Sequence, residues 1–125
     1  MFFDEKPHMT TDLRPLVIEN SHFTFGNIEA WINILKSYQS TFPDHKVMLI
    51  YNGVPVNNLA NLHKQVHNLN LERFELKVSG EDMNRKNVSK LRRLLMEGGG
   101  PNFKPFINRE LYKVTQLFDA GSQGR

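Results

Sequence analysis

Three groups of residues in this sequence have types and spacing that could do chemistry. Arg85, Lys86, Lys90, Arg92 and Arg93 crowd five cations into one short stretch, with no acid between Met83 and Met96. Such a density attracts phosphates or an acidic partner. His63 and His67 stand four apart, the spacing that puts two imidazoles on one helix face. That is half of a zinc site, with His22 or His45 as a possible third ligand, but Lys64 follows His63 where the metalloprotease pattern has glutamate. Glu75-Leu76-Lys77 supplies the Glu-x-Lys part of a metal nuclease, with Asp44 or Glu19 as the distant acid. Both metal patterns are incomplete, so no metal or other cofactor is expected. Ser21, Thr24, Ser37, Ser40, Ser79 and Ser89 offer hydroxyls, none of them in a Gly-x-Ser-x-Gly elbow. Glu81-Asp82 reads as a solvated loop pair. Gly98-Gly99-Gly100 follows a helical pattern instead of opening one, and Pro101 removes a donor, so the glycines read as a flexible connector and not as a phosphate cradle.

The elements that must carry these residues are short. Leu16-Val17-Ile18 reads as a strand entered through Pro15. Ile28, Trp31, Ile32 and Leu35 follow one helix face, with Asn27 as the expected cap. Lys46-Val47-Met48-Leu49-Ile50-Tyr51 is nearly continuous in apolar residues, the mark of a strand covered on both faces. Asn52-Gly53 signals a turn, and Val54-Pro55-Val56 is expected to lead into a helix carrying Leu59, Leu62, Val66 and Leu69 and capped by Asn57 or Asn58. Phe74–Val78 alternates apolar and charged residues, which suggests a strand toward the sheet edge. Asn87 precedes a third amphipathic stripe of Val88, Leu91, Leu94 and Leu95, and Asn108 a last one of Leu111, Val114, Leu117 and Phe118.

One pattern recurs. Asn27-Ile28-x-x-Trp31, Asn58-Leu59-x-x-Leu62 and Asn87-Val88-x-x-Leu91 superimpose, each after a strand. The expected fold is therefore α/β: one small domain of repeated βα units, a mostly parallel sheet with amphipathic helices, and a C-terminal helix. Its parts are a core of about 14–98, a glycine/proline connector 99–107, the last helix 108–119 and a mobile tail 120–125. Phe25–Ala30, Val47–Ile50, Leu59–Lys64 and Phe74–Gly80 followed by Val88–Leu95 together resemble the STAS superfamily of anti-sigma-factor antagonists, and the N-terminal domain of the MinC septum inhibitors is similar. The resemblance implies a small mixed sheet and a regulatory, protein-binding role. Switchable STAS domains carry Asp-Ser or Asp-Thr at the start of the second helix. This chain has Asn57-Asn58 there, without a hydroxyl to phosphorylate. The spacing also approaches leucine-rich repeats, whose Leu-x-x-Leu-x-Leu-x-x-Asn ladder is missing.

Composition narrows the classes further. The chain has 125 residues, 39% hydrophobic and 23% charged, enough for one domain with a core. It has no cysteine, which excludes disulfide scaffolds, cysteine-ligated zinc and cysteine nucleophiles. No apolar run reaches the roughly 18 residues of a membrane span. MFFDEKPH lacks the apolar stretch of a secretory signal, so a cytoplasmic protein without a membrane partner is expected. The net charge of +3 is uneven: residues 1–62 hold four basic against six acidic side chains, and residues 63–125 hold twelve against seven. Lys86, Lys90, Arg93 and Glu97 share one helix row opposite Val88, Leu91 and Leu95, so the cations can be exposed while the helix stays docked. Phe103-Lys104-Pro105-Phe106 adds aromatics and a cation beside it. The resulting expectation is a non-enzymatic protein-binding regulatory or inhibitor module, of undetermined oligomeric state. Its contact residues are Arg85, Lys86, Lys90, Arg92, Arg93, Phe103, Lys104 and Phe106. Nucleic acid held by the same cations is the first alternative and a small metal-dependent nuclease the second.

Overall fold

The structure is a computed structural model that describes residues 9–62, 69–107 and 116–119. The expected second-helix residues Val66, His63 and His67, the first residues of the expected last helix (Asn108, Leu111 and Val114), the tail from 120 and the N-terminal Phe2 and Phe3 lie outside the described residues.

Strand β1 (Met9–Asn20) leads into helix α1 (Phe25–Thr41), followed by β2 (Lys46–Tyr51), the short β3 (Val54–Pro55), β4 (Leu69–Glu81) and helix α2 (Arg85–Gly98). Short 3-10 turns occupy Leu59–Asn61 and Lys104–Phe106. The strands form one sheet in the order β1-β4-β2-β3, and every neighbouring pair is antiparallel. This corrects the expected parallel sheet of repeated βα units. The physical reason is an insertion. β1 and β2 both run antiparallel to β4, so they are parallel to each other and α1 does cross between parallel strands. β4 then slots between them, a split βαβ arrangement. Spacing along the chain is the same whether or not a later strand fills that gap.

The roles of the strands are reversed as well. β4, expected near the edge, is central. Its register sets Leu16 against Phe74 and Phe74 against Tyr51, Arg14 against Leu76 and Leu76 against Leu49. These rows face the helices. The alternate rows, Pro15–Glu75–Ile50 and Leu13–Lys77–Met48, face away from them. Both helices cover the same face, so alternation in β4 marks an open face and not an edge. In β2 only Leu49 is fully buried, so this strand is not covered on both sides. Asn52 and Gly53 make a true hairpin turn, with φ of 53° and 78°.

The three asparagines that superimpose in sequence do different work. α1 begins at Phe25 with Thr24 as its cap, and Asn27 lies inside the first turn. Asn58 caps only the turn at Leu59–Asn61, accepting from the Ala60 N–H at 3.0 Å. α2 is capped by Asn84, whose side chain accepts from the Lys86 N–H at 2.8 Å, and Asn87 lies within the helix.

The core forms where α1 and α2 meet the sheet. Trp31 lies edge-on to Phe74 and Phe23, at centroid distances of 5.3 and 5.6 Å. Gly98 and Gly99 are not a flexible connector. A Cβ at Gly98 would come within 2.9 Å of Ile34 Cδ1, and one at Gly99 within 3.1 Å of both Ile18 and Trp31. Four carbonyls at the end of α2 and just beyond it accept from buried side chains. Trp31 Nε1 donates to Leu95 O at 2.7 Å and Asn20 Nδ2 to Gly99 O at 2.9 Å. Asn27 Nδ2 donates to both Gly98 O and Gly100 O at 2.8 Å. Helix C-termini leave such carbonyls unpaired unless something donates to them.

Farther along, Asn33 Nδ2 donates to Phe106 O, and the Leu117 N–H donates to Ser37 Oγ at 2.9 Å. Phe118 is buried against Tyr38 and Phe42. Residues 116–119 are irregular, so the expected last helix does not extend to Leu117 and Phe118.

Candidate functional site

α2 runs alongside β1. Its Arg85 carbonyl meets Arg14, Arg92 meets Pro15, and Gly99 meets Ile18 and Asn20. The buried stripe of Val88, Leu91, Leu94 and Leu95 fixes which residues turn outward. Arg85, Lys86 and Arg93 are exposed, and Arg93 Nε lies 4.0 Å from Glu97 in an (i, i+4) pair. An exposed pair of this kind contributes little to stability.

The other cations of the cluster are partly occupied within the chain. Arg92 Nε donates to Pro15 O at 2.6 Å. Lys90 Nζ lies 5.3 Å from the centroid of the Phe118 ring, a cation–π contact. Lys104 is exposed, and Phe103 is half-buried with its ring closed over Gly26. Phe106 is a core residue and is withdrawn from the contact surface. Of the eight candidate residues, the structure therefore gathers Arg85, Lys86 and Arg93 on one exposed face. It uses Arg92 and Lys90 to hold α2 in place, and it sets Phe103 and Lys104 on the segment beyond the helix.

Arg14 belongs to this surface and was missed. It reaches under α2 from β1, donating from Nε and Nη2 to the two oxygens of Asp12 at 2.8 and 2.9 Å. It also donates from Nη1 to Ser89 Oγ and from Nη2 to Arg85 O. The Arg14 hydrogen bond, assisted by the charges of Arg14 and Arg85, holds the Asp12 carboxyl below the usual carboxylate range. Asp12-x-Arg14, an opposite pair two apart on a strand, was legible as a same-face contact. Its docking beneath α2 was not, because that depends on where the helix returns. Beside this pair lies a cleft of about 360 Å³, lined by Thr10 to Arg14, Met83 and Arg85.

The competing chemistries find less support. Glu75 and Lys77 are on the open sheet face, in rows with Pro15 and Ile50, and with Leu13 and Met48. Among the described residues no three His, Cys, Asp or Glu side chains come together as metal ligands. His45 is buried and its Nδ1 lies 2.9 Å from the Tyr38 hydroxyl. Burial pushes that hydroxyl up to about 12, so it stays protonated within this hydrogen bond. A base-stacking platform needs exposed aromatics. Among the described aromatic residues only Phe25, at 49%, is exposed. Among the described residues, no helix is long and apolar enough to cross a membrane.

A surface of this kind, on a two-layer antiparallel α/β domain, defines a scaffold with a charged outer helix. Residues 8–105 match the family described as the uncharacterised Treponema protein C-terminal domain, and the chain belongs to that family. It is similar to an uncharacterized protein of Treponema pallidum (strain Nichols), with 31% identity over 115 residues. The match covers 90% of this chain and 32% of the relative, so the chain spans about a third of the length of the curated relative it matches. No solved structure matches.

Proposed function

We propose that the chain is a non-enzymatic protein-binding module of regulatory or inhibitory type, and that it meets an acidic protein partner through the outward face of α2. The observation that carries this reading is the asymmetry of α2. Arg85, Lys86 and Arg93 stand exposed, while its apolar stripe is buried and the neighbouring aromatics are at least half-covered. Electrostatic complementarity of this kind steers association and selects partners. The phosphates of a nucleic acid would use the same cations, but sequence-tolerant single-strand binding would normally add stacked aromatics. The cytoplasm is the compartment we propose, since the chain holds no cysteine for a stabilising disulfide.

The test immobilises the purified chain as bait against extract of its source organism. A second arm titrates it into mixed DNA and RNA at low and moderate salt. The expected result is one protein species retained by the parent and lost with Lys86→Glu and Arg93→Glu, with no nucleic-acid binding that survives moderate salt. Tight nucleic-acid binding that falls steeply with salt and disappears in the same variants would replace this reading with the phosphate one. Retention of no protein would remove its support.

A further inference from the structure

β1 is the outermost strand on its side of the sheet. Its outer edge is divided by one residue. Pro15 has no N–H, and its carbonyl accepts from Arg92, so its main-chain polar positions point away from β4. In an antiparallel ladder alternate residues point the same way. Thr11, Leu13 and Val17 therefore also turn their N–H and C=O groups outward. At Pro15 the edge is closed twice, by the missing donor and by Arg92. Edge strands commonly limit unwanted pairing with proline and long cations. Here the closure leaves the Met9–Arg14 half open, and no described residue bonds to the outward main chain of Thr11 or Leu13.

The two flanks of that open half differ in chemistry. On the helix side stand Arg85 and Lys86, both exposed. Asp12 is the acid there, and Arg14 binds both of its oxygens; Arg85 acts on Asp12 through its charge without a bond to it, so its guanidinium donors face a ligand. On the opposite side Met9 and Leu13 are 64% and 55% exposed. We infer that the Met9–Arg14 edge of β1 takes an extended segment of the partner as an added strand, and that this segment alternates acidic and apolar residues. Main-chain bonds to Thr11 and Leu13 would hold it, and the period of two would send acids toward Arg85 and Lys86 and apolar side chains toward Met9 and Leu13. A second copy of β1 fits less well, because it would set two basic flanks side by side. The inference rests on the protein-binding reading above and specifies what that partner presents.

The test uses the isotope-labelled full chain and a blocked hexapeptide of alternating glutamate and valine. Two further peptides serve as comparison, the lysine–valine version and the glutamate–valine version N-methylated at alternate residues. Amide exchange and chemical shifts are read by NMR. The expected result is binding of the first peptide alone, with the Thr11 and Leu13 amides slowed about tenfold or more, the scale of one added hydrogen bond. Arg85→Glu weakens that binding by about tenfold, the scale of one close charge pair at an interface. Leu13→Pro abolishes it, since Leu13 would lose its outward donor. The N-methylated peptide asks the same question with the protein unchanged. Equal binding of the N-methylated peptide, shifts confined to α2, or no saturable binding would overturn the inference. The bait experiment does not depend on strand pairing. Partner capture there with no peptide binding here would sink the added strand alone, and failure of both would sink the protein-binding reading with it.

Discussion

Asn27→Asp changes one atom group and almost no volume, yet it removes the donor that ties α1 to the end of α2. Asn27 is fully buried. Its Nδ2 donates to Gly98 O and Gly100 O, both at 2.8 Å, while its Oδ1 accepts from the Thr24 N–H at 2.9 Å. A carboxylate would keep the Thr24 bond and point an oxygen at two carbonyls. Each carbonyl left without a donor costs about 1–3 kcal/mol, so the expected loss at neutral pH for the two is about 2–6 kcal/mol. For a domain of this size about 4 °C of Tm accompanies each kcal/mol, which gives a fall of about 8–24 °C. The loss depends on pH. Burial beside two carbonyls raises the folded-state pKa of the new carboxyl above the unfolded value of about 3.9. Below that unfolded value the carboxyl is protonated in both states and can donate one bond, so the deficit is smallest there. It grows as pH rises through the raised folded value, because the folded state then binds more protons than the unfolded one. Thermal and urea unfolding, followed by circular dichroism at several pH values, would read both effects. Asn27→Ala is the control, destabilised with no such pH dependence. A neutral-pH Tm within about 3 °C of the parent, less than 1 kcal/mol on the same scale, would refute the tie. So would a deficit that does not change with pH.

Other expectations are independent of that tie. Asp12 has a folded pKa held below its ordinary value, so its contribution is present above the unfolded pKa and lost as pH falls through the folded one. Asp12→Asn should therefore flatten the loss of Tm at acid pH, measured against the parent from neutral to acid. Phe118→Ala should cost about 3–5 kcal/mol in urea unfolding, because the ring is buried against Tyr38 and Phe42. A cost below about 1 kcal/mol would mean that this segment does not pack there. Gly53→Ala should cost about 1–2 kcal/mol, since the turn holds a φ of 78° that a Cβ disfavours. Lys86→Glu should leave Tm within about 2 °C of the parent, because an exposed side chain away from the core shifts stability by about 0.5 kcal/mol or less.

The helices were legible in sequence because each buries one stripe, and that stripe repeats at helical spacing whatever it packs against. Ile28, Trp31, Val88, Leu91 and Leu95 are all core residues as expected. The strand at Lys46–Tyr51 was legible for its length and apolar content. Its two-sided burial was not, because Met48 and Ile50 are apolar residues on an open face. Sheet order failed for a deeper reason. Alternation in Phe74–Val78 reports how many faces are covered, and it carries no information about which strands lie to either side. The asparagines show the same limit. An asparagine before an apolar stripe reads as a cap, but Asn27 is a clamp on a helix end more than seventy residues later. In the candidate site, the exposure of Lys86 and Arg93 followed from helical period alone. The internal work of Arg92 and Lys90, and the burial of Phe106, depend on Pro15, Phe118 and α1, which only the folded chain brings near.

The central claim is about a surface, and site-specific photo-cross-linking tests it most directly. A photoreactive residue would replace Lys86 or Arg93 on the outer face of α2, with Glu29 on α1 and Lys36 farther along the same helix as comparison positions. The account predicts that one acidic protein cross-links at 86 and 93, not at 29 or 36, and is lost with Arg85→Glu. Equal cross-linking at all four positions, or transfer of the cross-link to nucleic acid, would contradict it.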